Sequence, residues 1–425
     1  YQPQGLGFAP ENGDSLFLFF KNNANQWVRA WQAKGTPYQG FKIVLLPIED
    51  AQFLHNDFQF RFVNIASLNI NDDVWNIDYV KIDVNRTIDD TVLNDIGFSV
   101  EPSSILKNYT SMPYRHFSIN QANEKSVEQK ITIGNLYAIP HFLGTKLQVN
   151  ESISSTSIHS NTLPTVPIGA KIYLQQSFAS YPISYTPPLT TSKVQLRNTY
   201  FYSPVNATDN TRNDTISRET IFDNYFAYDD GSAEKSYFLL AATNFAAKTA
   251  LQFTLNQTDT IRGLMVHFGP QAPTALGKFF SIVLYQSLGA GVIQDSIILQ
   301  EDLFKVQYEP SYNGFSSYAF AVPKVLTAGT YYIGITQPAN FGSDSIYYGL
   351  DVNTNTSAQH LAYNVDGTWY SSSITGSLMM RPIVGQSFIA TGLPIKPKET
   401  SLECILFPNP VHHQLFLTSD EQFVS

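Results

Sequence analysis

Apolar and polar side chains alternate along much of this chain. In HNDFQFRFVNI, Phe58, Phe60 and Phe62 share one parity while Gln59 and Arg61 hold the other, the mark of a strand with one buried face. In QWVRAW the same period of two sets Trp27, Arg29 and Trp31 opposite Val28. It returns at Leu251, Phe253 and Leu255, at Phe280, Ile282 and Leu284, and at Tyr331, Ile333 and Ile335. Turn signals such as ENGD, NDD, DDG, AGT and DGT separate these runs. The best helical stretch, SAEKSYFLLAATNFAAKTAL, is weakened by Phe, Tyr and Thr and leads directly into a strand pattern. The pattern predicts an all-β chain of tandem sandwiches.

Three strand-rich blocks follow from where the runs cluster. Residues 1–87 form the first, ending in DDVWNIDYVKIDV. Its opening, YQPQGLG, reads as mid-strand and turn, so part of this unit is expected to precede residue 1. Residues 88–220 are richer in Ser, Thr, Asn and Pro, and their length suits an immunoglobulin- or fibronectin-like sandwich. Residues 221–386 form a second large β block, from FDNYFAYDDGSAE to GSLMMRPIVG. Prolines, threonines and lysines make 387–400 a linker, and 401–425 stand beyond it.

Composition narrows the function classes. Only 14% of the 425 residues are charged, against about 25% in typical soluble proteins, so Asn, Gln, Ser and Thr must build most of the polar surface. A formal net charge of −9 argues against a phosphate-binding basic surface and a nucleic-acid partner. The single cysteine, Cys404, rules out an internal disulfide and a zinc–thiolate cluster. No apolar run is long enough for a transmembrane helix. The first residues show neither an initiator Met nor a signal peptide and read as a processed or cleaved end.

Candidate chemistry is sparse. Asp72, Asp73 and Asp78, and separately Asp229, Asp230 and Glu234, supply carboxylate oxygens of the kind Ca²⁺ takes, which makes calcium the candidate cofactor. The competing reading has these acids accepting backbone hydrogen bonds in turns. Tyr347, Tyr348, Trp369 and Tyr370 are candidates for stacking on sugar rings, against the alternative that a sandwich core absorbs them. The eight histidines are scattered except for His412-His413, and HExxH, GxSxG and phosphate-loop patterns are missing. No acid pair is marked out as a glycosidase couple. The expectation is therefore a non-catalytic protein.

The tail carries a resemblance. SLECILFPNPVHHQLFL resembles the start of the C-terminal sorting domain of the type IX secretion system of Bacteroidetes, with Phe407, Pro408, Asn409, Pro410, Leu415 and Leu417 in the places of its Phe-Pro-Asn-Pro turn and alternating strand. Members of that family usually continue for several more strands, whereas this sequence stops at Ser425. QPQGLGFAPENGDSLFLFF with FQFRFVN and DDVWNIDYVKI looks like half of a laminin-G- or MAM-like jelly roll. YFAYDDGSAEKSYFL with TIRGLMVHF and AGTYYIGI is similar to a second sandwich recurrent beside such tails. The resemblance implies export through the type IX translocon to the outer cell surface. It also implies O-glycosylation at Asp-Ser/Thr-apolar triplets, here Ser15, Thr91, Thr215, Thr260, Ser296 and Ser345. The role expected is that of an adhesin, surface scaffold or filament component, or glycan binder, with surface polysaccharide, other surface proteins or further copies of itself as partners. The alternative is an accessory binding or spacer region of a larger secreted hydrolase whose catalytic domain lies upstream of residue 1.

Overall fold

The computed structural model describes residues 1–4, 9–66, 73–84, 86–89, 91, 94–188, 193–205, 211–242, 244–271, 273–338, 345–388, 390–391, 405–407 and 416–418. Its sheets are antiparallel and its helices a turn or two long, so the chain is all-β. Among the described residues no helix is long and apolar enough to cross a membrane.

The first sheet runs Trp27–Lys34, Ser15–Lys21, Phe60–Ile65. On its inner face Leu16 and Phe20 are buried, and Phe53 and Phe58 pack their ring edges on Phe20 at 5.6 and 5.3 Å. Here strict alternation mispredicts one side chain. Leu18 pairs with Trp31 but the next residue, Phe19, pairs with Arg29, so Ala30 is an extra residue on its strand. That bulge shifts the parity. Trp27 and Arg29 share a face with Phe19, whereas Trp31 goes to the inner face, where Tyr1 meets it edge-on at 4.9 Å.

The middle block holds a sheet ordered Val166–Ile168, His141–Glu151, Val194–Val205, Thr215–Phe222, with Thr156–Thr162 also pairing with His141–Glu151. A second sheet runs Tyr173–Ala179, Glu128–Asn135, Ile96–Val100. Ile131, Ile133, Leu143, Leu147, Phe178, Leu196 and Tyr200 fill the core at 1% exposure or less. Their parity is the one the alternation sets.

In the last block a six-stranded sheet runs Ser296–Lys305, Phe279–Ser287, Gly329–Gln337, Ala247–Leu255, Leu361–Asn364, Trp369–Ser371. Ser316–Leu326, Asp259–Val266 and Met380–Val384 form a facing sheet, joined to it by contacts such as Phe280 on Tyr318 at 5.1 Å. Leu251, Phe253, Leu255, Ile282, Leu284, Ile333 and Ile335 all point into the seam between them. Gly334 is required at one crossing: a Cβ there would lie 1.7 Å from the Thr249 carbonyl oxygen. The helix-like stretch is a short strand, Lys235–Tyr237, followed by the start of Ala247–Leu255, because its apolar residues match the core by twos.

The middle and last blocks share one continuous buried core. A polar knot lies at their junction. His116, fully buried, accepts the Asn256 backbone N–H through Nδ1 at 3.1 Å, so its Nε2 carries the proton donated to Asp259 Oδ2 at 2.7 Å. Arg115 also donates to Asp259, at 2.8 Å, and Asn256 donates to Glu124. In the tail, Ile405–Phe407 pairs antiparallel with Phe416–Thr418.

Candidate functional site

The outer side of the six-stranded sheet carries a second small apolar cluster. Ala250, Val283 and Tyr285 are buried there, with Leu288, Tyr332, Ala362 and Trp369 packed on them. Trp369 reaches this face because its strand pairs Asn364 with Trp369 and Ala362 with Ser371. The indole is held edge-on to Tyr285 at 5.7 Å, and its N–H donates to Asp295 Oδ1 at 2.7 Å. Next to it opens a groove of about 170 Å³, lined by Tyr332, His360, Trp369 and Ser371 among others. Gln252 donates to the Tyr332 hydroxyl at 2.9 Å. The His360 ring stacks on Tyr228 at 4.3 Å, and burial lowers its pKa, so it lines the groove as a neutral imidazole. The result is a fixed aromatic wall with hydroxyl, amide and imidazole groups beside it. A larger depression of about 310 Å³ at Asn150, Glu151, Ser152, Ser155 and Arg197 has no aromatic wall.

The four aromatic candidates do not act together. Tyr348 is a core residue, fully buried, whose hydroxyl accepts from Gln337 at 3.1 Å. It cannot stack on a sugar, because its ring lies in the core, 5.8 Å from that of Phe268, on a strand whose four residues are all buried. Tyr347 is half-buried and stacked on Phe238 at 4.6 Å. Tyr370 points to the face opposite Trp369, stacks on Tyr363 and donates to Asp366 at 3.0 Å. Of the four, Trp369 and Tyr370 both line the groove, and Trp369 is the one packed on the apolar cluster beside it.

The acidic candidates also separate. Asp229, 1% exposed, is gripped by Arg381, whose Nε lies 3.1 Å from Oδ2 and whose second nitrogen reaches Oδ1. That ion pair withdraws it from any calcium set. Asp230 and Glu234 do come together, with Asp351 from a strand more than a hundred residues later, their oxygens within 4.8 Å of one another. Asp351 accepts the N–H groups of Asp230, Asn353 and Thr354. Burial, with the Asp230 charge adding to it, lifts its carboxyl to about 6. These three could hold a cation, though they offer few of the about six to eight oxygens calcium takes.

Asp73, 6% exposed, gathers with Glu11 and Asp14 rather than with Asp78. Its charge pushes the Glu11 carboxyl up. Asp78 is exposed and accepts the N–H of the next residue, Tyr79, at 2.8 Å. Asp72 lies outside the described residues. The partners sequence reasoning missed, Asp351, Glu11 and Asp14, carry no signal near the candidates they join, since contacts between distant segments create both clusters.

Among the modification candidates, Thr91, Thr215 and Ser296 are exposed and Thr260 is half-buried. Ser15 and Ser345 are buried at 7% and 9% exposure, their hydroxyls bonded to Gln32 and the Leu239 carbonyl, so neither is open to a glycan in the folded chain. Of the tail motif, Phe407 and Leu417 lie in the paired strands, and Pro408, Asn409, Pro410 and Leu415 lie outside the described residues.

No protein-family model matches the chain, nor does any curated protein. Among solved structures it is similar to the structure of infectious bursal disease virus, Gx strain, at 12% identity over 74% of this chain and 88% of that one. The TM-score is 0.14, and the likeness carries no argument.

Proposed function

We propose that this chain is a non-catalytic, surface-displayed glycan-binding protein whose contact with sugar is the Trp369 groove. The observation that carries this reading is an indole pinned by Asp295 and Tyr285 beside the Tyr332 hydroxyl, His360 and Gln252. A pyranose offers an apolar C–H face for the ring and hydroxyls for the polar groups, and a rigid wall binds without a large ordering cost. The low charge of the chain suits an uncharged ligand. Catalysis finds no support at the most enzyme-like pair, because both nitrogens of His116 are engaged and the ring has no exposed surface.

Export by the type IX route, with 401–425 as the address, belongs to the same proposal and rests on the FPNP turn and the strand pattern after it. A glycan array followed by titration tests the binding claim. Trp369→Ala is expected to weaken the best neutral oligosaccharide by about tenfold, the loss of one aromatic platform. Undiminished binding by that variant, or no neutral glycan bound at all, removes the reading.

A further inference from the structure

The N-terminal sheet presents a basic aromatic face that net charge conceals. Register puts Phe17, Phe19 and Lys21 of its central strand beside Trp27, Arg29, Gln32 and Lys34 on one flank and Arg61 and Val63 on the other. Four cations and no acid occupy this set, in a chain of formal net charge −9. Arg29, Arg61, Gln32 and Lys34 are exposed, and Lys21 is half-exposed. Among the described residues none of the four cations pairs with a carboxylate.

The arginines are pre-positioned. The Arg61 guanidinium lies 4.3 Å from the Trp27 ring centroid and 5.4 Å from that of Phe19. Arg29 lies 5.8 Å from the Phe17 ring and donates to Gln32 at 3.2 Å, and Gln32 in turn donates to Ser15. A guanidinium laid flat on a ring keeps its N–H edges for an incoming anion, and its planar fork matches a carboxylate bidentately. Phe17 and Ser15 are covered, at 9% and 7% exposure, but the cations beside them reach solvent, so the charged heads form the open side of the sheet.

We propose that this face binds an acidic polysaccharide, with uronate carboxylates seated on Arg29 and Arg61 and sugar rings lying along Phe19 and Val63. Both arginines are register partners of Phe19, on strands either side of it, which sets their backbones about 10 Å apart. Lys21 and Lys34 mark the two ends of a stripe about 20 Å long, a length for a polymer rather than a single sugar. Nucleic acid fits less well. Its charges recur every ~3.4 Å along a strand, denser than these cations. The site lies on a different sheet from the Trp369 groove and does not depend on it.

Retention of the full chain on polygalacturonate, dextran and duplex DNA tests the idea. Polygalacturonate is expected to retain the protein in a salt-sensitive way, with dextran failing to compete. Arg29→Gln/Arg61→Gln should weaken retention by about tenfold or more at an unchanged melting temperature. Lys34→Glu keeps both stacked arginines, so a several-fold loss there separates lost binding from lost folding. Trp369→Ala should bind polygalacturonate as the unaltered chain does, which separates failure of this site from failure of the groove. Absence of retention, equal retention of the Lys34 and double-arginine variants with the unaltered chain, or tighter binding to DNA than to polygalacturonate would overturn the proposal.

Discussion

Replacing Arg381 with Met gives the sharpest test of how the last block is held together. The guanidinium lies 3.9 Å from the Phe315 ring centroid and 5.1 Å from that of Tyr225, and its side chain is 12% exposed. Its partner Asp229 has a side chain with no exposed surface. Met fills much of the space between the rings but supplies neither charge nor donor. Asp229 would then keep the Gly231 N–H, at 3.1 Å, as its side-chain bond. A buried carboxylate stripped of its cation typically costs about 3–5 kcal/mol. With a urea slope of about 3 kcal/mol/M, the unfolding midpoint should fall by about 1–1.7 M. Asp229→Asn in the same chain removes the orphaned charge, so the double variant should regain most of the loss. Calcium and chelator should leave these differences unchanged, since Asp229 is committed to arginine. A loss below about 0.5 kcal/mol for Arg381→Met, or a double variant no better than the single one, would refute the reasoning.

Two further outcomes are expected. Asp351 titrates near 6 in the folded chain, above its ordinary 3.8, so between those values the native state holds a proton the unfolded chain has released. Its contribution to stability therefore declines as pH rises from about 4 to about 6 and levels off above; urea midpoints across that range should show the decline, and Asp351→Asn should flatten it. Gly334→Ala drives a methyl into the Thr249 carbonyl, as the 1.7 Å approach shows, and should cost about 3 kcal/mol or more by the same denaturation. A fully stable alanine variant would mean the two strands can separate at no cost.

Much of the architecture is legible in the residues themselves. Leu251, Phe253 and Leu255 alternate, and all three are core. Parity is a local property, since successive side chains on a strand leave opposite faces whatever the strand pairs with. For the same reason the pattern overrode the helical appearance of 232–251, and the turn signals broke the chain into short antiparallel strands.

What parity cannot carry is the partner across the sheet. The bulge at Ala30 is a property of two strands in register, and it alone sends Trp31 inward while leaving Trp27 and Arg29 with Phe19. The sequence YDDGSAE contains three neighbouring acids. Folding gives one to Arg381 and joins the other two to Asp351, contacts spanning more than a hundred residues. Trp369 and Tyr370 are adjacent in the chain, yet face opposite sides of their sheet. The alternation of this sequence thus determined that it would fold into strands and which side of most strands would be buried. Which strands met, and so which charges and rings became neighbours, was decided only by tertiary pairing, because hydrogen-bond register between distant segments leaves no trace in either segment alone.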